Sequence, residues 1–192
     1  MAVQKGHSVS PESELLILVD TDDQETGTLS KVECHDGDGI LHRAFSVFLF
    51  NDQGELLLQQ RSADKRLWPM YWTNTCCSHP RQGESMQLAT ERRLQQELDT
   101  GSTLEFIYKF AYQARFGDLG AEHELCSVYL GWLERDATAN DAEIAALRYA
   151  DGKRLQAEIE SNPDDFTPWF KMEWQRLNEE FPDRLAKYTT PV

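Results

Sequence analysis

Apolar positions along this chain fall first into short runs and later into helical periods. Leu15–Val19 (LLILV) is a short apolar run and predicts a strand. Ala44–Phe50 (AFSVFLF) is apolar and aromatic and predicts a buried strand. Asn51-Asp52-Gln53-Gly54 reads as a turn with glycine at its end, so Glu55–Gln60 is expected to return as the second strand of a hairpin. Thr26-Gly27 reads as another turn. A longer hairpin is expected from Phe106–Phe116 and His123–Leu133, which flank Gly117-Asp118-Leu119-Gly120.

The period then changes. Ser85 to Leu98 predicts a helix with Leu88, Arg92 and Gln95 on one side and Ala89, Arg93 and Glu97 on another. Asp151 is a candidate cap for a short helix through Glu160, ended by Asn162-Pro163. Thr167-Pro168 supplies an N-cap and first-turn proline for a last helix to Phe181. Its stripe of Phe170, Trp174, Leu177 and Phe181 follows a helical period. The pattern predicts one mixed α/β domain over residues 14–181, with a flexible tail at 1–13 and a C-terminal tail at 182–192.

Composition narrows this picture. A chain of 192 residues, 40% hydrophobic and 27% charged, suits a single globular domain. No run approaches the roughly 20 apolar residues of a membrane span, and the polar start with Glu12 and Glu14 lacks a secretory h-region. Four cysteines, with Cys76 and Cys77 adjacent, do not make a disulfide framework and fit a reducing cytoplasm. The net charge of −14 argues against nucleic acid and anionic membranes as partners. It also makes the basic clusters Arg61-Lys65-Arg66 and Arg92-Arg93 informative, because an anionic ligand would need such local groups.

The densest chemistry lies in Thr73-Asn74-Thr75-Cys76-Cys77-Ser78-His79-Pro80, with Trp68, Tyr71 and Trp72 just upstream. Its thiol and imidazole allow a nucleophile, a zinc clip or a proton carrier, against the plain alternative of a buried structural cysteine. No Cys-x-x-Cys occurs, which disfavours a zinc ribbon. His35, His42 and His79, with Glu122 and Glu124 converging from alternate positions of a strand, would suit a divalent metal such as manganese, zinc or magnesium. The alternative is that these are loop residues and a solvated strand end. Trp169, in the first turn of the last helix, reads from pattern alone as core packing.

Ser78 to Thr100 can be laid on the Nudix box, Gly-x5-Glu-x7-Arg-Glu-apolar-x-Glu-Glu-x-Gly-apolar. Glu84, Arg92, Leu94 and Glu97 match it. Ser78 stands for the first glycine, Arg93 and Gln96 for metal-binding glutamates, and Asp99 for the last glycine. Nudix hydrolases use those carboxylates to hold metal and drive water onto a diphosphate. Arg93 in place of one removes a metal contact and adds a phosphate contact, so diphosphate binding would survive and hydrolysis would not. A solvated charged helix face is the plain alternative.

That degenerate box, with TNTCCSHP before it and the Glu122-His123-Glu124 triplet after it, resembles type 1 isopentenyl-diphosphate isomerases. The resemblance runs from about Gly27-Thr28-Leu29 to Thr167-Pro168-Trp169, through LHRAFSVFLF and the run from Arg61-Ser62 to Pro80. It implies a Nudix-type mixed β-sheet sandwich with flanking helices, and interconversion of isopentenyl and dimethylallyl diphosphate in isoprenoid biosynthesis. Residue by residue it implies Cys77, Glu124 and Tyr112 as catalytic, and His35, His42, His79, Glu122 and Glu124 as metal ligands. Glu97, with the Cys77 carbonyl, would bind magnesium with the substrate diphosphate. Lys31, Arg61, Lys65 and Arg93 would hold that diphosphate, and Trp169 would face the isoprenyl group. The implied partner is a small allylic or homoallylic diphosphate, bound by a monomer or homodimer. A thiol is a poor acid toward an alkene, which favours Glu124 as first proton donor and Cys77 as the finishing base.

Overall fold

The computed structural model describes residues 6–191. Its organising element is β3 (His42–Phe50), in which every residue but Arg43 is buried. Such a continuous apolar strand needs cover on both faces. One edge of β3 pairs in parallel with β8 (Gly120–Trp132) along its whole length, from His42 opposite Glu124 to Phe50 opposite Trp132. The other edge is shared in series by β1 (Leu15–Val19), β6 (Cys76–Ser78) and β4 (Leu56–Arg61), all antiparallel. The β7 strand (Leu104–Phe116) pairs with β8 as the expected long hairpin.

Helices cover both faces. The Phe45, Val47 and Leu49 side packs on Ala89, Leu94 and Leu98 of α2 (Met86–Leu98). The Ala44, Phe48 and Phe50 side packs on Phe170, Trp174 and Leu177 of α4 (Pro168–Glu180), the predicted stripe. Each of those three side chains contributes about 1.5–3 kcal/mol by burial, which seats α4 and the Trp169 that it carries. Thr167 precedes α4 as expected, but its hydroxyl donates to Thr73 Oγ1 (2.9 Å) and makes no capping hydrogen bond to the helix.

Several elements differ from the sequence pattern. Thr26-Gly27 lies inside β2 (Glu25–Ser30), and the turn falls earlier, where Asp20 Oδ1 accepts from the amides of Asp22 and Gln24. An unanticipated helix, α1 (Lys31–His35), follows at once, nucleated by a capping box between Ser30 and Glu33. The Asn51–Gly54 turn exists, but β4 meets β3 only at Leu56 and Phe50. Its main partner is β9 (Ile144–Ala150), a strand too mixed in character to stand out in the pattern. The helix begun at Asp151 is α3 (Gly152–Ser161).

The two expected tails also change. Residues 182–192 contain α5 (Pro182–Thr189), whose Leu185 and Tyr188 are buried, Tyr188 stacking on Phe50 with ring centroids 5.7 Å apart. At the other end, residues 1–5 lie outside the described residues, while residues 6–14 lie along the body of the protein with Ser10 buried. Two remaining short pieces frame the site: β5 (Trp72–Thr73), paired to β4, and β6, which carries both adjacent cysteines.

Candidate active site

Three elements meet around the histidines. His35 ends α1, His42 opens β3, and His79 directly follows β6. Glu122 and Glu124 stand two apart on β8 on one face, Glu122 grouped with all three histidines and Glu124 against His42 and His79. All five side chains are buried. His35 Nε2 lies 2.9 Å from Glu122 Oε2, and His79 Nε2 lies 3.1 Å from Glu124 Oε1. His42 Nε2 is 3.3 Å from His79 Nε2 and 3.7 Å from Glu124 Oε1.

These donors fit a metal ion. His42 Nδ1 sits 2.7 Å from the Ile40 carbonyl, which assigns the proton to Nδ1 and leaves the Nε2 lone pair facing inward. His35 Nε2 and Glu122 Oε2 face each other, buried, without forming a hydrogen bond. Nitrogen and oxygen ligands at about 2.0–2.1 Å from one cation would stand roughly 3–3.4 Å apart, close to the spacings found. Burial and the neighbouring His42 hold His79 low, at about 4, despite its carboxylate neighbour. Burial acts to raise Glu124 too, but the His42 and His79 contacts outweigh it, and the carboxyl stays well below the usual range. Tyr112, opposite Glu124 across the β7–β8 ladder, donates to its other oxygen at 2.7 Å.

The adjacent cysteines part company because they share a strand. Cys76 is fully buried on the α2 face, among Phe45, Val47 and Ala89. Cys77 turns to the α4 face and a cleft. Asn74 holds it there: Asn74 Nδ2 donates to the carbonyls of Val47 and Cys76 (3.1 Å each), which leaves Oδ1 to accept from the Cys77 thiol at 2.8 Å. The Trp169 indole N–H donates to the same sulfur at 3.2 Å. Burial, then the Glu173 charge, pushes Cys77 up to about 12, so it rests as a thiol. Asn74 and Trp169 thus orient the thiol; for Asn74 the only sequence signal was its place in the TNT run, and for Trp169 the packing pattern pointed elsewhere.

The same cleft is lined by Lys31, Arg61, Lys65 and Arg93. Arg61 is fixed from behind by the carbonyls of Trp68 (3.0 Å) and Leu67 (2.9 Å), and its guanidinium lies 5.2 Å over the Trp169 ring. Burial lowers Lys31 to about 8, with the Lys65 charge acting in the same direction. The arginine pair divides: Arg93 borders the cleft and meets Glu97 at 2.5 Å, while Arg92 turns to Glu84 at 2.7 Å. Glu97 is therefore engaged by Arg93 and is not among the groups lining the cleft. Asp99, in the position of the Nudix glycine, takes the left-handed conformation itself (φ 46°), so the helix ends as a glycine would end it.

Behind Cys77 lies a group that the pattern gave no reason to single out. Glu173 of α4 is fully buried, with Oε1 accepting from Cys126 Sγ at 3.5 Å and Oε2 without a partner. Burial pushes its carboxyl up to about 8, against an ordinary value near 4.5. The native state therefore keeps a proton that the unfolded chain releases between those values. Stability is expected to fall as pH rises through that window, by about 1.4 kcal/mol per unit at most. Glu173→Gln should lose this slope and gain on the parent protein from pH 5 to pH 8 in urea unfolding; parallel pH profiles would refute it.

Comparison with known proteins accounts for this combination of features. The NUDIX domain family matches residues 40–170. An isopentenyl-diphosphate Delta-isomerase of Serratia proteamaculans is 42% identical over 175 residues, covering 91% of this chain and 97% of its own. Isopentenyl-diphosphate Delta-isomerase 1 of Photorhabdus laumondii is 40% identical over 175 residues, covering 90% of this chain and 99% of its own. Among solved structures, a Deinococcus radiodurans protein superposes with a TM-score of 0.63 at 21% identity, covering 77% of this chain and 90% of its own, a likeness of fold. With its Nudix fold, and with identity of this extent to enzymes whose whole length it spans, the chain belongs to the isopentenyl-diphosphate Delta-isomerase family.

Proposed function

We infer that this protein interconverts isopentenyl diphosphate and dimethylallyl diphosphate for isoprenoid biosynthesis, with Cys77 and Glu124 as its two proton-transfer groups. One observation carries the reading. Cys77 comes from the strand on one edge of β3 and Glu124 from the strand on the other, and both line one cleft beside a row of cations. Moving a double bond by one carbon requires a proton to be added at one end of a flat alkene and another removed at the far end. Groups brought in from two strands can do this without either crossing the substrate.

The cations Lys31, Arg61, Lys65 and Arg93 would hold the diphosphate and leave the hydrocarbon beside Cys77 and Trp169. A tertiary carbocation forms between the two transfers, and water would trap it, so the Trp169 ring that lines the cleft, with Trp68 packed edge-on against it, has a chemical purpose. The Trp169 face can stabilise that cation by about 2 kcal/mol once desolvated. His35, His42, His79, Glu122 and Glu124 would hold a divalent ion (manganese, zinc or magnesium), while a magnesium on the diphosphate would reach Glu97 only once the Arg93–Glu97 pair opened. The cage ion would polarise the Glu124 carboxyl and so tune its proton affinity. Tyr112 keeps its own proton, pushed far up by burial, and steadies Glu124 through its hydroxyl.

The resting charges bear on the order of transfer. As the groups stand, the Cys77 thiol holds a proton and Glu124 is ionised, the state from which Cys77 gives and Glu124 takes. Glu124 as first donor to isopentenyl diphosphate, the order favoured by ordinary acidities, starts from the opposite state. Because the reaction is reversible, the resting state then serves the return direction.

Hydrolysis is the weaker reading: Arg93 and Gln96 replace two of the four box glutamates, and the two that remain, Glu84 and Glu97, are bound to Arg92 and Arg93. Two further expectations belong to the proposal. The four free thiols suit a reducing cytoplasm, and the enzyme acts on its small diphosphate as a monomer or homodimer without nucleic acid or membrane. Among the described residues, no helix is long and apolar enough to cross a membrane. Incubation with isopentenyl diphosphate and magnesium or manganese in heavy water should yield dimethylallyl diphosphate carrying deuterium. Release of phosphate without isomerisation would overturn the reading.

A further inference from the structure

Ser10 and Glu12 line the cationic cleft, and a single buried carboxylate ties the segment that carries them to the cleft's lysine. Glu143 precedes β9 and is 2% exposed. Its Oε1 accepts from the amides of Val9 (2.6 Å) and Ser10 (3.2 Å) and from the Ser8 hydroxyl (3.2 Å). Its Oε2 takes the ammonium of Lys65. The segment held in this way then meets two more cations: the Val9 carbonyl accepts from Arg93 at 2.6 Å, and Ser10 Oγ accepts from Lys31 at 3.0 Å. An unpaired carboxylate would be costly at such burial, and an amide pair would be a weak clamp, so the site is built around an anion.

We propose that Glu143 is a positioning residue for diphosphate binding, one oxygen clamping residues 8–10 over the cleft while the other aims Lys65 into it. Three cations of the cleft are thereby set by one group: Lys65 directly, Arg93 through Val9 and Lys31 through Ser10. Burial alone would raise the Glu143 carboxyl, but Lys65 and the Val9 amide outweigh it and hold it at about 2, so the clamp stays charged across the physiological range. An ammonium has three donors, and one directed to Glu143 leaves the others for a ligand. An entering diphosphate meets cations that already have carboxylate partners and must displace one of them. Glu12 is the replaceable one, with its side chain 45% exposed and its ion pairs to Lys31 and Arg66 at 3.7 and 4.0 Å, since exposed pairs of that kind are weak.

This inference rests on the reading of the cleft as a diphosphate site, and inorganic pyrophosphate separates the two. The experiment compares the full-length protein with Glu143→Gln, an isostere that keeps an acceptor for the segment but presents no anion to Lys65. The variant should keep its thermal midpoint within a few degrees and raise KM for isopentenyl diphosphate about tenfold. Its kcat should stay within about threefold, and its pyrophosphate affinity should fall in parallel with KM. Amide exchange at Val9 and Ser10 should accelerate while β3 and β8 stay protected. Faster exchange with KM and pyrophosphate affinity unchanged would overturn the inference and leave the diphosphate site standing, as would a fall in stability alone. Failure of the parent protein to bind pyrophosphate would overturn both.

Discussion

Cys77→Ala should reduce kcat/KM for isopentenyl diphosphate by about 10³-fold, while Cys76→Ala, one residue away, should leave it within about threefold of the parent. The first figure follows from the usual worth of a positioned proton-transfer group, about 10²–10⁴ in rate. The contrast follows from strand geometry, which sends neighbouring side chains to opposite faces. Cys77 faces the cleft with hydrogen bonds from its thiol to Asn74 and from Trp169 to its sulfur. Cys76 sits at 0% exposure between the sheet and α2, where removing a sulfur leaves a small void and costs on the order of 1 kcal/mol. Steady-state kinetics with thermal unfolding on both variants checks this. An inactive Cys76→Ala that still folds, or an active Cys77→Ala, would exchange the roles within the pair.

Metal loading should raise the thermal midpoint by roughly 10 °C, and chelation should reverse it and abolish turnover. A ligand that binds only the folded state stabilises it by about 4 kcal/mol at a thousand times its dissociation constant. For a chain of this size, each kcal/mol moves the midpoint by about 2–4 °C. The cage makes a large effect physically reasonable: Glu122 and Glu124 are buried side by side, and His35 Nε2 and Glu122 Oε2 have no hydrogen-bond partner. His79→Ala, which removes one inward nitrogen, should lose most of the shift. Scanning calorimetry with manganese, zinc or magnesium against a chelator provides the measurement. A parent protein indifferent to every one of these ions, or a His79→Ala variant with an undiminished shift, would refute the cage as a metal site.

Strong local signals read well. AFSVFLF is the central strand because nothing but burial on both faces suits so apolar a run, and the Phe170–Trp174–Leu177 stripe is the buried side of its helix. Weak local signals did not. The β9 strand has half-exposed residues and gains its identity from pairing with β4, and α5 begins on a proline that reads equally well as the end of the fold. Residues 8–10 have no pattern at all and owe their place to Glu143, more than 130 positions away in the chain.

For the chemistry, the residue types available and, through motifs in order, the family they belong to are legible in the chain alone. Spacing also settled that Glu122 and Glu124 share a face, because strand periodicity is a local property. What each group meets came from the fold. It brought three histidines from three elements within reach of those carboxylates, gave Arg93 rather than Arg92 to the cleft, and committed Glu97 to an ion pair. It also set the charge states, since burial raises the Cys77 thiol while two histidines hold Glu124 down. Those are properties of surroundings, and the surroundings of a side chain in this fold come almost entirely from distant parts of the chain.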